Sequence, residues 1–188
     1  MKELAFLGTG GSVSSPKRDN CSFIINCDET LILMDCPGSV IQKIKKLNYD
    51  PEKVNRIFVT HTHPDHIYGL PSFIHSMMLH EFTVFIYGSR ETIKFCKSLL
   101  DLFKLREKKV KVNIEFIPLN PGENFEINQS LRCQTFDIKH TASSLAYKYQ
   151  FTDKKIELLY SGDTPSAPLL FRENPSVDYL IHDCSAPS

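Results

Sequence analysis

Short apolar runs separated by glycine-, proline- and asparagine-rich turns recur along the chain, and this pattern predicts a strand-rich fold with a few amphipathic helices. Glu3 to Leu7 reads as a strand that enters the turn-rich stretch Gly8-Thr9-Gly10-Gly11-Ser12, which continues through Ser14-Ser15-Pro16 to Asn20. Ser22 to Asn26 and Leu31 to Asp35 read as a hairpin. Ser39 is placed to cap a helix with Val40, Ile41, Ile44 and Leu47 on one face and Gln42, Lys43, Lys45 and Lys46 elsewhere. Arg56 to Thr60 is the next strand. Gly69-Leu70-Pro71-Ser72 breaks the chain before a helix over Phe73 to His80, and Phe82 to Tyr87 returns to strand. Ser89 caps a helix carrying Ile93, Cys96, Leu99, Leu100 and Phe103. Strands follow at Val110 to Ile117, Ser130 to Ile138, Leu145 to Phe151, Lys155 to Tyr160 and Val177 to Ser185, with Pro118 to Gly122 as a turn.

Composition changes this picture little. The 188 residues suit one domain, and 41% apolar with 23% charged residues is ordinary for a globular chain. Formal net charge is zero, so attraction to nucleic acid or membrane has to come from a local patch. No apolar stretch approaches the ~18 residues of a membrane span, and the apolar start is too short for a signal peptide. The six cysteines, Cys21, Cys27, Cys36, Cys96, Cys133 and Cys184, form no C-x-x-C pair and no framework spacing, which fits a reducing cytoplasm. Cys36 reads as a small packing residue rather than a nucleophile.

The chemistry concentrates in Thr60-His61-Thr62-His63-Pro64-Asp65-His66, directly after a buried strand. Imidazole nitrogens and a carboxylate this dense are costly without partners, and a divalent cation supplies them: Zn²⁺ at about 2.0–2.2 Å, with Mn²⁺ or Fe²⁺ as alternatives. In extended chain His61 and His63 project on one side. Pro64 then forces a turn, so Asp65 and His66 can face a second position, which suggests two adjacent metals. His75 and His80 lie alone on an apolar helix and read as packed or surface histidines. The glycine-rich loop after the first strand lacks G-K-[ST] and opens no helix, so it is not a nucleotide cradle. Lys104 to Lys111 is the one basic cluster; it could meet RNA backbone, but a solvated helix end explains it as well.

The H-x-H-x-D-H pattern after a buried strand resembles the metallo-β-lactamase superfamily, and the Ser161-Gly162-Asp163-Thr164 tetrapeptide resembles its phosphodiesterase branch, which includes ribonuclease Z. The resemblance covers nearly the whole chain and implies an αββα sandwich, two mixed sheets face to face with helices outside. It implies that His61, His63 and His140 hold one metal, that Asp65 and His66 hold the other and that Asp163 bridges them. Asp35 and Asp183 would support the ligands by hydrogen bonding. Asp65 would orient the nucleophile, and His182 would donate a proton to the leaving oxygen or serve as a hydrogen-bond partner. The implied reaction is hydrolysis of a phosphodiester, RNA included, by a binuclear centre, in a protein whose relatives are often homodimers.

Three departures qualify the resemblance. The superfamily's final histidine, which completes the second metal site, has no counterpart before Ser188, so a longer chain is expected. Residues 141–162 leave no room for the arm with which ribonuclease Z grips transfer RNA. The motif carries Pro64 where ribonuclease Z usually has glycine. Two other readings therefore stay open: hydrolysis of a thioester, lactone or other acyl ester by the same centre, and a non-catalytic scaffold.

Overall fold

The structure is a computed structural model that describes residues 3–27, 30–164 and 168–183. Eleven strands among the described residues form two sheets. The first has the order β1 (Glu3–Gly8), β2 (Ser22–Cys27), β3 (Thr30–Met34), β4 (Val54–Phe58), β5 (Thr83–Ser89), β6 (Asn113–Leu119). Its β1 to β3 edge is antiparallel and β3 to β6 run parallel. Helices α1 (Val40–Lys46), α3 (Leu70–Met77) and α4 (Arg90–Leu102) supply cover between those parallel strands. Covered on both sides, β3 is buried throughout, which is why it reads as a continuous apolar run rather than an alternating one.

The second sheet has the order β11 (Tyr179–Ile181), β10 (Ile156–Tyr160), β9 (Leu145–Phe151), β8 (Leu131–Asp137), β7 (Asn124–Asn128). It is antiparallel except for the β10–β11 pair. Three apolar layers hold the assembly. Ile24, Leu33, Ile57 and Ile86 pack outward on Ile44, Phe73, Ile74 and Leu100 of the helices. Phe23, Ile25, Ile32, Met34 and Phe58 face Tyr147, Tyr149, Phe151 and Tyr160 between the sheets. Ala146 and Leu159 meet Leu170 of helix α5 (Pro168–Glu173) on the far side. Helix, sheet, sheet, helix is the expected αββα sandwich.

Several local expectations need correction. Ser39 sits in the left-handed region (φ 61°) and makes no side-chain cap bond, so α1 starts without the expected cap. The third helix begins at Leu70, not Phe73: Pro71 falls in its first turn, where the missing N–H would be unsatisfied anyway. It stops at Met77, leaving Leu79 and His80 outside. Strand β6 starts at Asn113, three residues after Val110, and runs on through Pro118 to Leu119 at the edge of its sheet. Strand β7 was not anticipated, because Asn124–Asn128 carries only two apolar side chains and follows a Pro-Gly turn. Strand β11 is shorter than the predicted Val177 to Ser185, and Cys184 and Ser185 lie outside the described residues. Asp28, Glu29 and Pro165 also lie outside them. Ser89 does cap α4, accepting from Thr92 N.

Candidate metal centre

The histidine-rich segment leaves the first sheet at the end of β4. His63 stands at the N-cap of the one-turn helix α2 (Pro64–Ile67), and Pro64 in its first turn commits the chain to the bend that separates His61 and His63 from Asp65 and His66. Main-chain bonds clamp this bend against the end of β3: Cys36 N donates to His66 O at 2.7 Å and Gly69 N to Cys36 O at 2.9 Å. A Cβ on Gly69 would stand 1.8 Å from Pro37 O, so no other residue fits there without moving the backbone. The second sheet contributes from the ends of its own strands, with His140 after β8 and Asp163 after β10.

The strand ends bring the predicted ligands together in two groups. His61, His63, His140 and Asp163 form one, and Asp65, His66 and Asp163 form the other, with the ligand atoms of each group within 4.8 Å of one another. His63 Nδ1 is 3.0 Å from both His61 Nε2 and His140 Nε2. Ligand atoms about 2.0 Å from a tetrahedral ion stand about 3.3 Å apart, so this spacing suits a cation between the rings. Asp163 belongs to both groups: its Oδ1 lies 3.3 Å from His66 Nε2 and its Oδ2 3.8 Å from His140 Nε2. Asp65 Oδ2 lies 3.4 Å from the same His66 nitrogen.

Protonation follows this layout. Burial, then the positive charge of His66, pushes His61 down to about 4, and burial also lowers His140. A hydrogen bond from His66 holds the Asp65 carboxyl below its usual range, and the same partner outweighs burial in lowering Asp163. His66 is the exception: burial opposes its charge, but Asp35, followed by bonds to Asp163, Asp35 and Asp65, lifts it to about 12. Neutral imidazoles beside ionised carboxylates are the forms that bind a divalent cation, and the three carboxylates around His66 call for positive charge at that point.

Asp35 is fully buried with φ 54°, a strained conformation for a non-glycine residue. Its Oδ1 accepts from Thr60 N at 2.8 Å, and its Oδ2 from His66 Nδ1 at 2.8 Å, Thr60 Oγ1 at 3.0 Å and Tyr160 Oη at 2.9 Å. Thr60 Oγ1 also lies 3.0 Å from His61 Nδ1. Asp35 thus touches no ligand atom of the two groups but holds His66 by its other nitrogen, which turns Nε2 toward Asp65 and Asp163. His182 Nδ1 lies 2.8 Å from Ser161 Oγ, and its ring packs edge-on against Phe171. Asp183 is near enough to act on His140 through its charge.

A cavity of ≈490 Å³ opens onto the second group. Asp65, His66, Asp163, His182 and Asp183 line it together with Thr9, Gly10, Gly11, Ser15 and Arg18 of the glycine-rich loop. The sequence showed that loop only as a turn; its position over the ligands had no periodic signal. Thr60 and Tyr160 were likewise missed as partners of Asp35, although Tyr160 directly precedes the S-G-D-T tetrapeptide. His75 and His80 stay outside both groups, and His80 pairs with Glu52 at 3.0 Å. In the basic cluster, Arg106 pairs with Asp101, Lys109 with Glu107 and Lys111 with Glu81, which neutralises much of its charge. No helix among the described residues is long and apolar enough to cross a membrane.

A sequence-family profile described as "Anti-Pycsar protein Apyc1" matches residues 2–187. The chain belongs to that family. Relatives of this Apyc1-family chain include a ribonuclease Z of Pyrococcus abyssi, 31% identical over an alignment of 157 residues, with 82% of this chain and 50% of that protein covered. The chain therefore spans about half the length of the curated relatives it matches. Among solved structures, the short form of human tRNase Z superposes with a TM-score of 0.79 at 20% identity, covering 95% of this chain and 76% of that one. YhfI from Bacillus subtilis, a metallo-β-lactamase fold protein, gives 0.77 at 18% identity over 94% and 68%. The Apyc1-family chain has the metallo-β-lactamase fold.

Proposed function

We propose that the protein is a metal-dependent phosphodiesterase with a binuclear centre, related in chemistry to ribonuclease Z. One observation carries the reading: Asp163 presents a separate carboxylate oxygen to each of the two ligand groups. His61, His63 and His140 would hold one divalent ion, Asp65 and His66 the other, with zinc the best match to an imidazole and carboxylate set. Two such ions, when bound, would supply an activated water and charge stabilisation for displacement at phosphorus.

The chain's own groups arrange the rest. Asp65 and Asp163 bring negative charge to the same nitrogen of His66, where an incoming water can donate hydrogen bonds to either carboxylate. Arg18 lines the same cavity and would offer a planar guanidinium to a phosphoryl oxygen. His182, bonded at Nδ1 to Ser161, lines the same cavity and would protonate a leaving oxygen. Asp183 lines the cavity as well. The cavity is in the size range of sites for small molecules, which favours a compact phosphodiester over an extended polynucleotide.

The test compares bis(p-nitrophenyl) phosphate with p-nitrophenyl acetate, each with zinc or manganese added. Metal-dependent turnover of the phosphodiester is the expected result. Turnover of the acetate alone moves the function to acyl esters, and failure to bind metal after reconstitution removes every hydrolytic version.

A further inference from the structure

Tyr160 is the last residue of β10, and its ring is fully buried between the sheets, edge-on to Phe23 at 5.0 Å. Its hydroxyl reaches across to Asp35 Oδ2 at 2.9 Å, a bond over 125 positions that joins the end of β10 to the residue that follows β3 of the other sheet. The acceptor can only be the carboxylate, so the phenol donates. Burial, then the charge of Asp35, keeps the phenol protonated by raising its pKa well above the ordinary value.

The position of this bond matters because each end leads to one ligand of the second group. Asp35 Oδ2 also receives His66 Nδ1 at 2.8 Å, so the oxygen that Tyr160 holds is the one that orients the His66 ring. On the other side, only Ser161 and Gly162 separate Tyr160 from Asp163, and Gly162 takes φ 60° to make the turn. This hydroxyl therefore ties the end of the strand before Asp163, which the sheet ladder already holds, to the carboxylate that orients His66.

We propose that Tyr160 is a positioning residue for the second metal site: its hydroxyl sets the spacing between His66 Nε2 and Asp163 Oδ1, which stand 3.3 Å apart. This rests on the metal-centre reading above. The first group depends on it less, since three of its four members, His61, His63 and His140, meet neither Tyr160 nor Asp35 directly, and it shares only Asp163 with the second group. Two sites that are similar in donor chemistry thus differ in what supports them, and loss of the Tyr160 hydroxyl separates them.

The experiment is metal titration by calorimetry of the metal-stripped full chain as wild type and as Tyr160→Phe, with Tyr149→Phe as a control. Tyr149 is a buried tyrosine of the neighbouring strand whose hydroxyl meets Met34 Sδ, away from the ligands. The expected result is two binding events in wild type and Tyr149→Phe. In Tyr160→Phe one event changes little and the other weakens by up to about 10- to 100-fold, the range for loss of an outer partner that orients a ligand, here Asp35 behind His66. Replacement of Tyr160 by 4-aminophenylalanine, which restores a donor in the same shape, should recover most of that affinity. Unchanged binding in Tyr160→Phe overturns the proposal and leaves the metal centre standing. Absence of binding in wild type overturns the metal centre itself and the proposal with it. If Tyr160→Phe does not fold while the amino variant does, the hydroxyl serves the fold and the positioning role fails.

Discussion

The hydroxyl of Tyr147, on the second sheet, donates to the carbonyl oxygen of Val59 at 2.8 Å, two residues before His61. Both groups are fully buried, so the oxygen has no water to turn to if the donor is removed. Tyr147→Phe should destabilise the fold by about 1–3 kcal/mol, the range for an orphaned buried acceptor. Urea unfolding reads this as a lower midpoint with an unchanged slope. A midpoint equal to that of wild type would show that the bond contributes nothing.

Asp163 and His140 should differ in how many ions they control. Asp163 serves both ligand groups, whereas His140 serves one. Elemental analysis after dialysis should find about two ions per wild-type chain, about one in His140→Ala and close to none in Asp163→Ala. Equal stoichiometry in the two variants would remove Asp163 as a bridge.

Loss of His63 should be as severe for turnover as loss of any group in the site. Its Nδ1 lies 3.0 Å from both other imidazoles of the first group. His63→Ala is expected to lower phosphodiester turnover by at least about 100-fold, in line with loss of a main contributor to charge stabilisation. The circular dichroism of the variant should match wild type, because the side chain is exposed and packs no core.

Gly69→Ala tests the clamp behind the ligand helix. The added Cβ would meet Pro37 O at 1.8 Å, so the segment from Cys36 to Pro37 or the start of α3 has to shift. Overpacking of this kind costs about 1–3 kcal/mol. Differential scanning calorimetry should show a lower Tm, and turnover should fall more than stability alone explains, because Cys36 N also holds His66 O. Wild-type values for both would show that the backbone accommodates the methyl group.

Metal removal should be visible without any substrate. A ligand at 100 times its Kd stabilises the folded state by about 2.7 kcal/mol, which for a chain of this size is about 5–11 °C in Tm. Chelation should lower Tm by that amount and zinc should restore it. A Tm that ignores both treatments contradicts a metal bound only by the folded chain.

Much of this was legible in the sequence because burial on both faces leaves a strong trace. Strands β2 to β5 read as apolar runs since helices cover one side and the second sheet the other. The candidate ligands His61, His63, Asp65 and His66, which the structure gathers, were legible as a group because they are close in sequence, and His140 and Asp163 were proposed beside them only through the resemblance. Strand β7 was not, since an edge strand of five residues with two apolar side chains resembles a loop. Ser39 misled for a different reason: its residue type favours a cap, but the turn after Pro37-Gly38 places it at φ 61°, where its hydroxyl makes no cap bond. The role of Tyr160 is a cross-sheet contact of high sequence separation, and no local pattern encodes such a contact.

The division of the candidate ligands between two sheets also has a consequence for the order in which the molecule assembles. His63 and His140 are 77 residues apart, so closing that loop costs chain entropy before any cation can bridge them. Neither sheet alone holds a complete set of ligands, and metal capture is expected only after the sheets have docked. A metal-sensitive signal followed during refolding would thus mark a late step, and contacts between Tyr147 and Val59 or Tyr160 and Asp35 would have to form first.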